Sequence, residues 1–249
     1  FSRDADGGND EMNAIEARKL TKKFGPKTAV DHVDLTVKEG ELFALLGVNG
    51  AGKTTAIRML SCLSAPTEGE CFICGHSCLT EKAAVKSVIG ISPQDTAVSE
   101  NLTVKENLLF MTRVYGCGEE KVTEMIRLFR MQDVENQRAK TLSGGWKRKL
   151  SIAMALISSP KVLFLDEPTL GLDVLARHEL WQIIRSLKGR ITIVLTTHYM
   201  EEAEALSDRI GIMKSGRLLA VGTAEELIRQ AGATDFESAF VSIVKEAQP

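Results

Sequence analysis

The segment Gly47-Val48-Asn49-Gly50-Ala51-Gly52-Lys53-Thr54 fits the pattern of Gly, four residues, Gly-Lys-Ser/Thr without a departure. Its chemistry is anion capture. Glycines let successive backbone N–H groups point into one concavity, a following helix adds the positive end of its dipole, and Lys53 brings a point charge between β- and γ-phosphates. Thr54 then offers a hydroxyl to Mg²⁺. A metal-bound triphosphate also needs a carboxylate at the end of a neighbouring strand. Val162-Leu163-Phe164-Leu165-Asp166-Glu167 supplies four apolar residues that run into two acids. Asp166 is expected to hold Mg²⁺ through water, and Glu167, facing the other way, to polarise an attacking water.

A second chemical cluster is Cys71, Cys74, His76 and Cys78. Cys-Phe-Ile-Cys-Gly has the spacing of a zinc turn, yet all four candidate ligands fall within eight residues, whereas zinc sites draw a second pair from further along the chain. The reading favoured is a short strand that ends in a turn at Gly75.

These residues need a scaffold of strands and helices. Partial period-two alternation marks strands at Ile15 to Leu20 and Val33 to Val37, and the apolar run Leu42 to Leu46 reads as a buried strand just before the glycine loop. After Lys53, apolar Ile57, Leu60 and Leu63 predict a helix that runs on until Pro66. Thr103 and Glu106 form a capping box for a helix to about Tyr115, and Val122, Met125, Ile126 and Phe129 mark another. Strand character returns at Val162 to Leu165 and Ile191 to Thr196, with a helix from about Ala176 to Leu187 between them, which implies a parallel βαβ-type sheet. Lys214 to Arg217 punctuates a hairpin, and Thr223 with Glu226 caps a last helix that Gly232 ends.

The expected organisation is an α/β P-loop NTPase (RecA-like) core over 12–95 and 159–222, carrying an antiparallel β subdomain. A helical subdomain is inserted over 96–158, and a short helical tail covers 223–249. Residues 1–11 read as a leader or loose tail, with Met12 a candidate start. Lys plus Arg number 31 against 33 Asp plus Glu, so the basic excess of a nucleic-acid binder is missing and no nucleic-acid partner is expected. The longest apolar runs fall far short of the ~20 residues of a membrane span, so a membrane role would be peripheral. Five cysteines suit a reducing compartment.

With these motifs assembled, the chain resembles the ABC ATPase family from about Ile15 to Val244. Leu142-Ser143-Gly144-Gly145 is similar to the family's signature motif, in which Ser143, Gly144 and Gly145 at a helix N-terminus would receive the γ-phosphate of ATP held by a second copy. The resemblance implies ATP and Mg²⁺ as cofactors and nucleotide contacts from Phe24, Gly47, Asn49, Gly50, Ala51, Gly52, Lys53, Thr54 and Thr55. Phe24 would stack on adenine. Gln94, in Ile91-Ser92-Pro93-Gln94, is similar to the glutamine that senses Mg²⁺ and the membrane partner. Asp173 resembles the aspartate at the subunit interface, and His198 the switch histidine on the γ-phosphate. Thr54, Gln94 and Asp166 are the implied metal set, and Glu167, His198 and Lys53 the catalytic one.

What the resemblance implies is ATP hydrolysis in a head-to-tail dimer that powers separate integral-membrane subunits, peripheral on the cytoplasmic side of the membrane. Trp146 departs from the glutamine that many members carry there. With the basic run Lys147-Arg148-Lys149 and the tail Asp235 to Val241, it resembles the branch that exports antibiotics and other drugs. An importer motor, a soluble non-transport ABC protein and a non-catalytic scaffold remain as alternatives.

Overall fold

The computed structural model describes residues 13–246; the expected leader over 1–11 lies outside them. In chain order the strands and helices are β1 (Asn13–Phe24), β2 (Lys27–Lys38), β3 (Leu42–Leu46), α1 (Lys53–Leu60), β4 (Glu68–Ile73), β5 (His76–Ser77), α2 (Lys82–Val88), β6 (Ile89–Ser92), α3 (Val104–Tyr115), α4 (Glu120–Leu128), α5 (Gly144–Leu156), β7 (Val162–Asp166), α6 (Val174–Leu187), β8 (Thr192–Thr197), α7 (Met200–Leu206), β9 (Arg209–Lys214), β10 (Arg217–Gly222), α8 (Ala224–Gln230) and α9 (Phe236–Glu246).

Two sheets organise them. One runs β10-β9-β3-β8-β7-β6, with β3, β6, β7, β8 and β9 parallel and β10 added antiparallel. The other is antiparallel, in the order β2-β1-β4-β5. Strand alternation explains how they stack. Leu42, Ala44, Leu46, Leu163, Leu165, Ile193 and Leu195 enter one core with Leu150, Trp181 and Leu206 of the helices. The intervening Phe43, Leu45, Phe164 and Val194 enter a second core with Ile15, Leu20 and Val33 of the antiparallel sheet and Ile57 and Met59 of α1. A parallel sheet buried on both faces needs continuous apolar strands, and β3 and β7 are buried at every position. The ends of these strands, with the helix starts that follow, form the functional edge.

The structure corrects several expectations. The helix after Lys53 does not reach Pro66: α1 closes at Ser61, Cys62 has a left-handed φ of 59°, and Leu63 is exposed instead of continuing the apolar stripe. The helix capped by Thr223 is not the last, because Gly232 turns the chain at φ 59° and α9 packs Phe236, Ala239 and Ile243 back onto the body. The first two strands are longer than their alternating cores and join through Gly25 as one hairpin. The cysteine segment forms the favoured strand and turn, with Cys74 and Gly75 both at positive φ between β4 and β5. There the Cys71 and Cys78 thiols donate to the Met59 and Leu60 carbonyls at the end of α1.

Candidate functional site

The loop between β3 and α1 is pinned by two hydrogen bonds and packed closely on a third side. The Gly47 amide donates to the Thr197 carbonyl at the end of β8 (3.2 Å), and the Gly216 amide in the β9–β10 turn donates to the Ala51 carbonyl (2.9 Å). Gly52 starts α1 at φ 106°, and a Cβ there would stand 2.4 Å from the Ala29 carbonyl oxygen. Only glycine permits this approach and this backbone conformation together.

Six side chains converge at the end of the loop. Lys53, buried, donates from Nζ to the Gly47 carbonyl at 2.6 Å and sits 3.2 Å from Oε1 of Glu167. The other Glu167 oxygen lies 2.7 Å from Nδ1 of His198. Thr54 donates to Oδ1 of Asp166 at 3.1 Å, and Thr196 donates to the same oxygen at 2.6 Å. The two acids therefore face different partners. Glu167 has left-handed backbone, φ 49°, and its amide donates to Thr196 Oγ1, so the strand ends there and the carboxylate turns toward Lys53 and His198. A non-glycine residue in this region costs on the order of 1–3 kcal/mol and persists where the surroundings fix it.

A cleft of about 660 Å³ opens over this group, lined by Asn49, Gly50, Ala51, Gly52, Lys53, Thr54, Thr55, Gln94, Glu167 and His198, and across from them by Lys27, Thr28, Ala29 and the Ser215–Gly216 turn. The volume lies within the range of nucleotide-sized ligand sites. Its donors, a lysine ammonium and the start of a helix, suit a polyphosphate. The adjoining hard oxygens of Thr54 and Asp166 suit Mg²⁺.

Other expected site residues stand apart from this cleft. Ser143 and Gly144 are exposed; Ser143 Oγ accepts from the Trp146 amide and so caps α5. Asp173, exposed, caps α6 by accepting from the Ala176 amide at 2.9 Å. A Cβ on Gly145 would meet the Ala176 Cβ at 3.2 Å, so these two helix starts lie side by side. Phe24 is exposed at the end of β1 with the Lys22 ammonium 5.2 Å from its ring centre; it does not line the cleft, although Lys27 to Ala29 just beyond the hairpin turn do.

Arg148 is a site residue that sequence reasoning misses, because a basic run after a glycine pair looks solvated. It is buried, and its guanidinium donates to the Pro93 (2.7 Å) and Gln94 carbonyls, which ties α5 to the strand end that carries Gln94. Burial holds its pKa below the ordinary arginine value, and the charges of Asp166 and Asp95 pull the other way. The basic side chain of Lys27 and the turn at Ser215 are missed as well, since nothing in their local pattern signals a phosphate neighbour.

Comparison with known proteins gives this geometry a family. The family model described as ABC transporter matches residues 30–170. The probable multidrug ABC transporter ATP-binding protein YbhF of Escherichia coli is 38% identical over 250 residues, covering 96% of this chain and 43% of that protein. The chain thus spans less than half the length of that relative. The Nod factor export ATP-binding protein I of Paraburkholderia xenovorans is 42% identical over 220 residues, covering 86% of this chain and 72% of that one. Among solved structures, the dimeric post-hydrolysis ATP-binding cassette MJ0796 bound to ADP and Pi superposes with a TM-score of 0.76 at 27% identity, over 84% of this chain and 98% of that one. With the glycine loop, the two acids and His198 gathered at one sheet edge, the chain belongs to the ABC transporter family and has the fold of its ATP-binding cassettes.

Proposed function

We propose that the chain is an ATP-hydrolysing motor for separate membrane subunits, acting as a dimer of two copies and most similar in role to exporters. The observation that carries the reading is the contact series Lys53–Glu167–His198 beside Thr54–Asp166. When a triphosphate enters, Lys53 exchanges Oε1 of Glu167 for phosphate oxygens. The freed carboxylate then accepts the proton of the attacking water. His198, released from Oε2, turns its ring toward the γ-phosphate. Mg²⁺, held by Thr54 and Asp166 with Gln94 alongside, would neutralise charge on the transferred phosphoryl group.

Ser143, Gly144, Gly145 and Asp173 have no place at this cleft, and the apolar Leu170, Val174 and Leu175 around Asp173 are exposed. A second copy would explain both facts: each ATP would lie between one chain's Lys53 and the other's Ser143. Phe24, projecting beside the cleft mouth, would stack on adenine. On the proposed domain plan, 12–95 with 159–222 forms the ATP-binding core, 96–158 the helical unit and 223–249 the tail. A groove of about 530 Å³ between the core and the helical unit, lined by Leu63, Ile91, Phe110, Met111, Tyr115 and Met154, suits an apolar segment of a membrane subunit. No helix among the described residues is long and apolar enough to cross a membrane, and the motor would sit peripherally on its cytoplasmic side. Export is supported by the names of the multidrug and Nod factor relatives.

The test of hydrolysis is Glu167→Gln, which should lower phosphate release by about 100-fold or more while an ATP-bound dimer accumulates on gel filtration. Turnover at the parental rate would remove Glu167 from the base role. Mixing Lys53→Ala with Ser143→Arg chains tests the shared site: only a dimer that joins Lys53 of one copy to Ser143 of the other regains one intact site and partial activity.

A further inference from the structure

Behind the catalytic edge lies a carboxyl that the mechanism above does not use. Glu202 of α7 is fully buried, and the Trp181 indole on α6 donates to its Oε1 at 3.0 Å. Its second oxygen, Oε2, has no formed hydrogen bond among the described residues, and neither has the buried hydroxyl of Thr169. Thr169 stands two residues after Glu167 on the way to Asp173. Burial raises the Glu202 carboxyl, while the hydroxyls of Thr197 and Thr169 lie close enough to favour its charged form, although Thr169 Oγ1 falls short of hydrogen-bond geometry.

Thr197 is itself a junction. Its Oγ1 accepts from the Tyr199 amide at 3.0 Å, and its carbonyl accepts from Gly47 at the start of the phosphate loop. The next residue is His198, whose ring packs 4.1 Å from that of Tyr199. A buried acid left half-paired next to an unpaired hydroxyl is unfavourable at both groups, because Oε2 and the Thr169 hydroxyl are each buried without a hydrogen-bond partner. A slight approach of the two segments would relieve both.

We infer that Glu202 is a positioning residue that joins the segment after Glu167, through Thr169, to the strand end that carries His198, through Thr197. Its two oxygens have separate roles. Oε1 is held by Trp181, and Oε2 is left to take the Thr169 hydroxyl as the site closes. The base and the switch histidine thereby move together although they sit on different strands. This inference rests on the hydrolytic reading above.

The test compares Glu202→Leu, Glu202→Gln and Thr169→Val. Glu202→Leu and Thr169→Val should each lower kcat by about 10-fold or more, the range set by sub-ångström misplacement of reacting groups, with ATP affinity unchanged. Glu202→Gln, which still accepts from Trp181 and can donate to Thr169, should restore most of the rate. The double variant should be no slower than Glu202→Leu alone, since both remove one link. Parental kcat in Thr169→Val, whose isosteric side chain spares the fold, or multiplicative losses in the double variant, would overturn the inference.

A second readout is independent of turnover. In Trp146→Phe, Trp181 is the single tryptophan, and its emission should shift when MgATP binds, with the shift abolished by adding Glu202→Leu. An equal shift with and without Glu202→Leu, or no shift in the Trp146→Phe chain itself, also overturns the inference. A parental chain that binds MgATP without hydrolysing it would sink the hydrolytic reading alone.

Discussion

Nδ1 of His198 lies 2.7 Å from Oε2 of Glu167, so the residue proposed as base and the residue proposed to read the γ-phosphate are direct partners across adjacent parallel strands. Lys53 holds the opposite oxygen. One carboxylate thus ties the phosphate loop to the end of β8, and in the proposed mechanism its release is the event that nucleotide brings about.

Replacing His198 with Ala should therefore spare binding and depress turnover. Lys53 and the loop amides stay in place, and a fluorescent ATP analogue should titrate with parental affinity. Phosphate release should fall about 100-fold. Parental turnover would show that the 2.7 Å contact has no part in hydrolysis.

Gly52→Ala should damage both stability and binding. The added Cβ meets the Ala29 carbonyl oxygen at 2.4 Å, in a backbone conformation that alanine disfavours. A loss of about 2 kcal/mol is expected, read as a drop of about 4–8 °C in thermal midpoint for a chain of this length, together with loss of ATP binding.

Arg148 should matter more than a basic surface run would suggest. Arg148→Met leaves the Pro93 and Gln94 carbonyls without their donor, at a cost of about 3 kcal/mol in urea unfolding. Arg148→Lys should recover part of this, because a single ammonium cannot reproduce the fork that reaches both carbonyls. Equal stability of the three chains would mean that the guanidinium contributes nothing there.

The pH dependence of stability should carry the mark of Glu202. Burial raises its carboxyl above the ordinary 4.5, and the hydroxyl and indole donors offset this in part. Between 4.5 and that raised value the folded chain keeps a proton that the unfolded chain has released, so stability falls as pH rises through the window. Glutamine has no proton to lose. The stability of Glu202→Gln relative to the parent should therefore increase as pH rises above 4.5, as followed by urea midpoints; a constant difference would contradict the raised carboxyl.

The parts of the site legible in the sequence are those where chemistry dictates residue type at fixed spacing. The glycine loop and Asp166–Glu167 can be named because phosphate capture leaves few alternatives for each, His198 is named only through the family resemblance, and the structure gathers all of them at one sheet edge. Their mutual contacts are not legible, since Lys53, Glu167 and His198 meet only through strand order in the sheet. Arg148 and Glu202 are hidden for a physical reason: each sits in a helix among other charges, and burial of one charge among several leaves no periodic signal. Among the elements, α2 buries only Val85 and β5 has two residues, too little for a pattern. The apolar spacing overextends α1 because Leu63 continues it after Cys62 has already left helical backbone. Within the helical tail, α9 does not stand out as a separate helix, because the turn at Gly232 resembles an ending.

The phosphate loop is hydrogen-bonded to Thr197 of β8 and to Gly216 in the β9–β10 turn, and at Gly52 it packs closely against Ala29 of β2. A cradle tied at two points and packed at a third is a datum against which everything else is measured. In the proposed dimer, a nucleotide seated in it would leave the loop in place, and the work of binding would pass to the start of α5 at Ser143 and the exposed stretch around Asp173. The stiffness of such a cradle would set the stroke of the proposed motor.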